Sequence, residues 1–511
     1  MLALGGTVGL ARAVPLRPVC LSLGLAALTA HAVYLVSVFQ GIGVDDAYIS
    51  FRYADNFARG AGLSFNPGEF VEGYSNFLWV VLLGPFALLT DDLTLPSLVL
   101  GIGFTLASAA VMERALVNLY GLRGLSATAL ALLLVAASGY VAGWAGSGLE
   151  SGLHGLLLIG SWYRFCIEHG ESERRPVSAF LLVALALVRP EGVFVALGGS
   201  LLHVVLRVGS GERIFSRRVL LFPAIVLGGL VAYHSWRFYY YGPHLLPNAV
   251  RAKVGFTTDQ IRRGLAYVRA EFLIPYLPLS CSLALLVSRR ARLASWTGVA
   301  LLGGHVAFVA IVGGDWSHGR FFAPFLPLAF TLFAATMGRL AARVPGGHSW
   351  VRRSVMAAMA LALLSYAHWT FQVTSVEREQ AFRRSFAPKD LERIRIGKWL
   401  REASEPDTVV AVYAAGQIPY FSRRYTHDML GLNDETIANL ETRGFGSGRA
   451  GHEKFDVDYT VDTVRPDVLV DPHLVDGLLS HERIRAEYRS LTRFQHNSVY
   501  VHRTASWALT D

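Results

Sequence analysis

A polytopic all-α membrane protein carrying a small C-terminal α/β domain is the fold that the sequence predicts, and three observations predict it. Of the 511 residues, 53% are hydrophobic and only 17% charged, against about 25% charged in a soluble globular domain. Several apolar runs reach the roughly 17–25 residues that cross a bilayer. The loops between the runs fall into two sets, one rich in arginine and one not, which gives the runs a direction. The net charge of +9 then belongs to cytoplasmic loops, and no nucleic-acid partner is implied. Cys20, Cys166 and Cys281 lie in or beside apolar runs, which argues against a disulfide framework.

About eleven spans are expected: 20–39, 93–117, 125–143, 153–166, 178–188, 191–207, 218–238, 272–288, 295–312, 321–337 and 353–371. The first follows Arg12 and Arg17 as a signal peptide would, but it is long and no small-residue cleavage site follows, so it reads as a retained anchor. The arginine-rich loops hold Arg114 and Arg123; Arg164, Arg174 and Arg175; Arg207, Arg213, Arg217 and Arg218; Arg289, Arg290 and Arg292; and Arg339, Arg343, Arg352 and Arg353. By the positive-inside rule they face the cytoplasm. Residues 40–92, 144–152, 189–190, 239–271, 313–320 and everything after about 372 then face outward. The apolar segment 75–90 decides this topology. Counted as a crossing it would put the later arginine clusters outside, and it is short, so it is expected to be a re-entrant or interfacial helix of the first outer loop. Segments 178–188 and 191–207 are read as two half-buried helices meeting at Arg189-Pro190-Glu191-Gly192, a break tolerated where it is buried or lines a cavity.

After about 372 charge density rises and lipid-length runs stop. Residues 377–403 read as an amphipathic helix. Thr408–Tyr413, Asp467–Val470 and Val499–His502 read as short strands with helical patterns between them. The chain divides accordingly into a transmembrane unit, 1–371, with a first outer loop at 40–92, and a C-terminal periplasmic α/β unit, 372–511.

Ionisable residues at membrane depth are costly and mark functional sites by default. Under this topology the unusual ones share the outer side: Asp45 and Asp46, Glu150, Arg189 and Glu191, His244, Asn248, Arg251 and Lys253, and Asp315, His318 and Arg320. Each has a plainer reading. Asp45 and Asp46 suit a helix start; Glu150 suits a cap; Arg189 with Glu191, and Asp315 with Arg320, suit ion pairs. Tyr239, Tyr240, Tyr241 and Trp236 read as an interfacial aromatic belt. Cations beside glycine-rich turns also suit an anionic phosphate headgroup. In the C-terminal unit two polar groups stand out, Tyr425 to Asp434 and Gly451-His452-Glu453-Lys454. The latter's Glu453 and Lys454 read as solvated surface, and the histidines match no zinc spacing.

These residues resemble a family. The string Asp45-Asp46-Ala47-Tyr48-Ile49-Ser50-Phe51-Arg52, continuing through Gly62-Leu63, Phe65-Asn66-Pro67-Gly68-Glu69, Val71-Glu72-Gly73-Tyr74 and Phe77-Leu78-Trp79, is similar to the first outer loop of polyprenyl-phosphate-dependent GT-C membrane glycosyltransferases. It looks most like the mycobacterial terminal β-(1→2)-arabinofuranosyltransferases and their bacterial relatives. Shorter pieces follow in the same order: Ser147 to Glu150; Arg189 to Gly192; Leu246-Pro247-Asn248 with Ala252-Lys253; Gly313-Gly314-Asp315 with Gly319-Arg320-Phe321; Asp428 with Leu430-Gly431-Leu432; and Gly451 to Lys454. The departure is Val71 to Asn76, which differs in the mycobacterial enzymes, so acceptor identity is not inherited.

The resemblance implies a GT-C-like fold in a bacterial inner membrane, with an active cavity and a C-terminal domain facing the periplasm. It implies transfer of a sugar, arabinofuranose foremost, from a polyprenyl-phosphate donor to a cell-envelope glycan or glycoprotein acceptor. The alternatives are a polyprenyl-phospho-mannose-type transferase and a lipid-linked saccharide transporter or flippase, to which the broken helix at Arg189 is suited. Transfer needs a groove for the lipid, cations for the departing phosphate and a carboxylate for the acceptor's proton. Asp45 and Asp46 are the catalytic candidates, with Asp45 preferred as base. His244, Lys253, His318 and Arg320 are the candidates for phosphate. Glu150, Arg189, Glu191, Asn248, Asp315 and Asp428 are those for sugar or acceptor. A single displacement inverts the anomeric centre. The family's β donor and β product imply net retention, so an aspartate nucleophile stays open. No cofactor is firmly implied; a divalent metal bridging the aspartates and phosphate also stays open.

Overall fold

In the computed structural model, the described residues are 16–38, 43–122, 125–170, 175–287, 291–343, 368, 387–442 and 444–509. Helix α1 (Leu16–Val38) opens the chain, followed by α2 (Asp45–Ala58) and α3 (Phe77–Ala87) in the first loop. A bundle follows: α4 (Thr94–Asn118), α5 (Leu125–Ala137), α6 (Gly139–Ala145), α7 (Ser151–Gly170), α8 (Val177–Val188), α9 (Gly192–Gly209) and α10 (Arg217–Tyr241). Short helices α11 (Asn248–Lys253) and α12 (Thr258–Val268) precede α13 (Arg292–Ile311) and α14 (Leu326–Arg343).

Among the described residues five helices are long and apolar enough to cross a membrane, or six if a bent pair counts as one span. Six of the eleven expected spans, 93–117, 125–143, 191–207, 218–238, 295–312 and 321–337, have a counterpart among these. The run 125–143 bends by 65° between α5 and α6, where Ser138 caps α6 by accepting from the Val141 amide. The run 272–288 is not α-helical. It passes from a π turn at Arg269–Leu273 into a 3-10 helix at Leu277–Val287, because Pro275 and Pro278 remove two amides from an α ladder. The expected span 353–371 lies outside the described residues apart from His368. Segment 75–90 forms the 11-residue α3, about 16 Å long at 1.5 Å per residue and too short to cross. It buries Trp79, Val80 and Leu83.

Close helix contact depends on glycine. A Cβ on Gly101 of α4 would stand 2.3 Å from the Ala145 carbonyl, and one on Gly152 of α7 would stand 2.3 Å from the Gly101 carbonyl. The two backbones therefore touch where α7 begins.

Beyond residue 386, helix α15 (Ala387–Ala403) leads to a five-stranded sheet in the order β2-β1-β3-β5-β4. Strands β1 (Val409–Val412), β3 (Val468–Val470) and β5 (Val499–His502) stand where β-branched runs predict them. Strand β1 runs parallel to β2 (Tyr425–Asp428) and β3, while β5 is antiparallel to β3 and β4 (Tyr488–Leu491). The polar sequences of β2 and β4 read as a strand end and as helix. Strand β2 is nevertheless buried, because the His427 ring is held by Thr460 at 3.0 Å and Asp434 at 3.2 Å.

One apolar core runs from α2 (Tyr48, Phe51) through α8 (Leu185) to the sheet (Val410, Val501). Buried polar links fasten the same contact. Arg52, 4% exposed, donates to the carbonyls of Phe65, Pro419 and Arg424 and to Asn66 Oδ1. Asn66 in turn donates to the Thr426 carbonyl and accepts from the Thr426 amide. Removing the guanidinium strands several buried acceptors, each costing about 1–3 kcal/mol. Arg52→Ala is therefore expected to destabilise the protein by about 3 kcal/mol or more. It should expose the 404–424 segment to limited proteolysis in detergent micelles; a digestion pattern like that of the unsubstituted protein would contradict this.

Candidate active site

The start of α2 holds two carboxylates that go different ways. Val44 is the residue before the helix, with extended backbone and no side-chain cap, so Asp45 and Asp46 occupy the first helical turn, where the helix dipole favours anions. Asp45 accepts from the backbone amides of Gly416 and Gln417, both at 3.0 Å. A Cβ on Gly416 would fall 1.8 Å from the Asp45 carbonyl oxygen, so only glycine permits this approach. Burial lifts the Asp45 carboxyl above its usual range, against the pull of Arg393 and the two amides. Asp46 instead accepts from Arg320 Nη1 at 2.6 Å. Burial works against its ionisation, but Arg320, Lys253 and His452 hold it at about 2.

Arg320 also lies 3.5 Å from Asp315. A second charged string stands nearby. Asn76 donates to Glu150 at 2.7 Å, Glu150 accepts from Arg189 at 2.9 Å, and Arg189 reaches Glu191 at 3.1 Å. Burial opposes the charge on Glu191, yet Arg189 foremost holds it at about 2. Lys253, the last residue of α11, has an electrostatic partner in Asp46 but no ion pair or hydrogen bond from its Nζ among the described residues.

These charges close one end of a cavity of about 1250 Å³. Its body is apolar, with Phe194, Leu202 and Leu206 of α9 facing Trp296, Ala300, Gly304 and Phe308 of α13. Its polar end presents Arg189, Glu191, Lys253, Asp315 and Arg320. Asp46 is not in the lining and reaches the cavity through Arg320. A long apolar pocket ending in a few convergent charges is the arrangement expected of a binding site, here for an amphiphile with an anionic head.

Several candidates stand elsewhere. Asn248 donates to the carbonyls of Gly431, Leu432 and Asp434, and Asp428 accepts from the Leu430 and Asn433 amides and the Asn433 side chain. Both are buried and bonded to one turn, with Asn248 Oδ1 accepting from Arg251 at 3.0 Å, and neither is in the cavity lining. His244 pairs with Glu435 at 2.7 Å, and His318 pairs with Glu271 at 3.0 Å while its side chain stays 60% exposed. Neither is in the cavity lining. Glu150 supports Arg189 from behind. Asp45, the preferred base in sequence, is committed to the C-terminal unit, whereas Asp46 turns toward the cations. Glu453 is not solvated surface: its side chain is 6% exposed, pairs with Arg263 at 2.9 Å and accepts from the Gly446 and Gly448 amides. Tyr240 and Tyr241 bond the Leu63 backbone of the first loop, whereas Tyr239 faces outward.

Three groups escape the sequence reading: Asn76, Trp316 and the cluster Asp390–Arg393–Asp471. Arg393 meets Asp390 at 3.0 Å and Asp471 at 3.3 Å. An i, i+3 pairing of Asp390 with Arg393 is visible in sequence, but its packing near Asp45 is not. Metal ligands are sparse: among the described residues the group of three close carboxylates and imidazoles is Asp458, Asp462 and His481, largely exposed and outside the cavity lining.

Comparison with known proteins gives the site a context. Residues 376–509 match a family described as a domain of unknown function (DUF8728). Over 375 residues, 64% of its length, the chain is 30% identical to the terminal beta-(1->2)-arabinofuranosyltransferase of Mycobacterium tuberculosis, and the match spans 57% of that protein. Among solved structures, the Archaeoglobus fulgidus oligosaccharyltransferase in the apo form aligns at a TM-score of 0.54 and 11% identity, over 90% of this chain and 70% of that one. ArnT from Cupriavidus metallidurans bound to undecaprenyl phosphate aligns at 0.53 and 13% identity, over 97% and 99%. At such identities the likeness is one of fold.

The acidic cluster behind Asp45 gives a pH signature. Burial first, with Asp45 and Asp46 adding to it, pushes Asp390 up to about 7 despite Arg393. The folded state thus holds a proton that the unfolded chain releases near pH 4. Its stabilising contribution is full below pH 4 and is lost as pH rises through about 7. Melting temperature in detergent should therefore carry a component falling between pH 5 and pH 8 that Asp390→Asn removes; identical slopes in both proteins would refute the assignment.

Proposed function

We propose that the chain is a membrane glycosyltransferase that moves a sugar, arabinofuranose foremost, from a polyprenyl-phosphate donor to a glycan or glycoprotein acceptor of the cell envelope. In this reading the chemistry occurs at the outer face of the bacterial inner membrane, with 1–371 as the catalytic unit and 372–511 on the periplasmic side. The observation that carries it is the cavity: an apolar body between α9 and α13 that ends at Lys253 and Arg320, with Asp46 beside them. The 30% identity to an arabinofuranosyltransferase supports the sugar, and the fold of a transferase solved with undecaprenyl phosphate supports the lipid.

The apolar body takes the polyprenyl chain. Lys253, which carries no ion pair of its own among the described residues, takes the donor phosphate. Arg320 joins it, exchanging part of its bond to Asp46 for the phosphate oxygens. Asp46 is then ionised and loosened at the moment an acceptor hydroxyl approaches. The hydroxyl oxygen bonds to the anomeric carbon, the carbon–oxygen bond to phosphate breaks, and the proton passes to Asp46. The polyprenyl phosphate leaves with its charge held by Lys253 and Arg320. Glu191 and Asp315, both in the lining, face the sugar hydroxyls, and Glu150 keeps Arg189 oriented. For a retaining outcome the same carboxylate attacks the anomeric carbon as its bond to the polyprenyl phosphate breaks, and the acceptor hydroxyl then displaces the carboxylate, giving its proton to the departed phosphate.

The test is donor consumption by the full chain in nanodiscs, with farnesyl-phospho-arabinofuranose and farnesyl-phospho-mannose as probes and an arabino-oligosaccharide as acceptor. Asp46→Asn is expected to lower kcat by about 100-fold or more, the usual worth of a positioned acid–base group. Lys253→Ala should raise the donor KM about tenfold with a smaller effect on kcat. Near wild-type turnover in a folded Asp46→Asn protein would sink the assignment, and preferred use of the mannose donor would replace the sugar.

A further inference from the structure

A donor whose tail fills the apolar body leaves the polar end of the cavity for the acceptor. Trp316 stands there, in the lining one residue beyond Asp315. Two residues of the C-terminal unit meet it, and a third backs one of them. The His452 ring meets Trp316 edge-on at 6.0 Å, and Tyr413, just past β1, meets His452 at 5.4 Å. The Arg449 guanidinium lies 4.6 Å from the centre of the Trp316 ring. Arg449 is exposed and makes no ion pair among the described residues. The turn that carries Arg449 and His452 is built rather than loose. Glu453 ties the Gly446 and Gly448 amides to Arg263 at 2.9 Å, and Gly451 packs against the Lys253 stem, where a Cβ would come within 3.2 Å. Burial foremost pushes the His452 imidazole down to about 4, so it is neutral at pH 7 and presents a ring rather than a charge.

Half-exposed aromatic rings offer apolar faces at low entropic cost, and an arginine offers five N–H donors in a fixed fork. Sugars have the matching surface, a C–H face for the rings and hydroxyls for the fork. We propose that Trp316, Tyr413, Arg449 and His452 form the acceptor subsite, which binds a saccharide ring and delivers its hydroxyl toward Asp46. This rests on the transferase reading for the identity of the reaction. It adds the class of acceptor, a saccharide end rather than a peptide or lipid head, and assigns its recognition to the C-terminal unit.

Two measurements on the full chain in nanodiscs decide it. In steady-state transfer from farnesyl-phospho-arabinofuranose to an arabino-oligosaccharide, Arg449→Ala and Trp316→Leu should each raise the acceptor KM about tenfold, equivalent to about 1.4 kcal/mol. The donor KM should stay within about twofold, and Arg449→Lys should recover part of the loss. An unchanged acceptor KM, or a donor KM rising in parallel, overturns the subsite. Calorimetric titration with the oligosaccharide alone reads the same site without turnover: binding by the unsubstituted chain that Arg449→Ala abolishes supports it, and absent or unaltered binding overturns it. An unsubstituted chain that binds the oligosaccharide yet consumes neither farnesyl donor would end the transferase reading and leave the subsite standing.

Discussion

Helix α2 is polar, buried and placed between the apolar helical bundle and the C-terminal sheet, and the rest of the structure depends on how its polar groups are satisfied. A buried amide, guanidinium or carboxylate must find a partner or cost several kcal/mol. Asp45 finds the Gly416 and Gln417 amides, and Arg52 finds carbonyls on both sides of the contact. Tyr420 closes the ring by donating to the Asp91 carbonyl and accepting from the Leu93 amide, at 3.0 and 3.1 Å. The C-terminal unit is thereby more than a neighbour. It completes the hydrogen bonding of the first loop and shares its apolar core, so it sets the direction in which Asp46 points.

The same economy explains the charges around the cavity. Burying an ion costs more than one partner returns unless the geometry is good and further hydrogen bonds are made. The arginines at the cavity's polar end are matched by carboxylates, Arg320 with Asp46 and Asp315, Arg189 with Glu150 and Glu191 and Arg263 with Glu453, while away from it Arg237 pairs with Glu72 and Arg52 is satisfied by carbonyls. Such pairs hold position more than they add stability. Against that background, a half-buried lysine at the cavity wall with no ion pair among the described residues is the exception. The charge it lacks is the charge a phosphate would bring.

How far the sequence carries is seen residue by residue. The short, non-crossing helix within 75–90 and strands β1, β3 and β5 are legible because hydropathy and β-branching are local. The cations and carboxylates that line the cavity are legible as well, since charge beside lipid-length runs is rare. What sequence does not carry is direction and long-range partnership. Asn248 and Asp428 look like site residues until the single turn between residues 428 and 434 claims both. Strand β2 reads as no more than a strand end because its burial depends on Thr460 and Asp434, which come later in the chain. The bend at Ser138 and the loss of α geometry near Pro275 each follow from one or two residues inside runs whose average composition reads as a plain span.

The adjacent aspartates show the limit most clearly. Successive residues on an α-helix diverge by about 100° around its axis, so Asp45 and Asp46 cannot address the same group from side chains of one length. A dipeptide that reads as one reactive pair is therefore two functions set side by side by helix geometry. Asp45 turns to amides 371 and 372 positions later and Asp46 to a guanidinium 274 positions later. The first anchors the helix, and the anchored helix aims the second. Exchanging their roles would require turning α2 by most of a third of a turn. That rotation would drive Tyr48 and Phe51 out of the aromatic contact with Tyr420 and Phe421. The chemistry assigned to Asp46 is thus underwritten by packing that neither carboxylate takes part in.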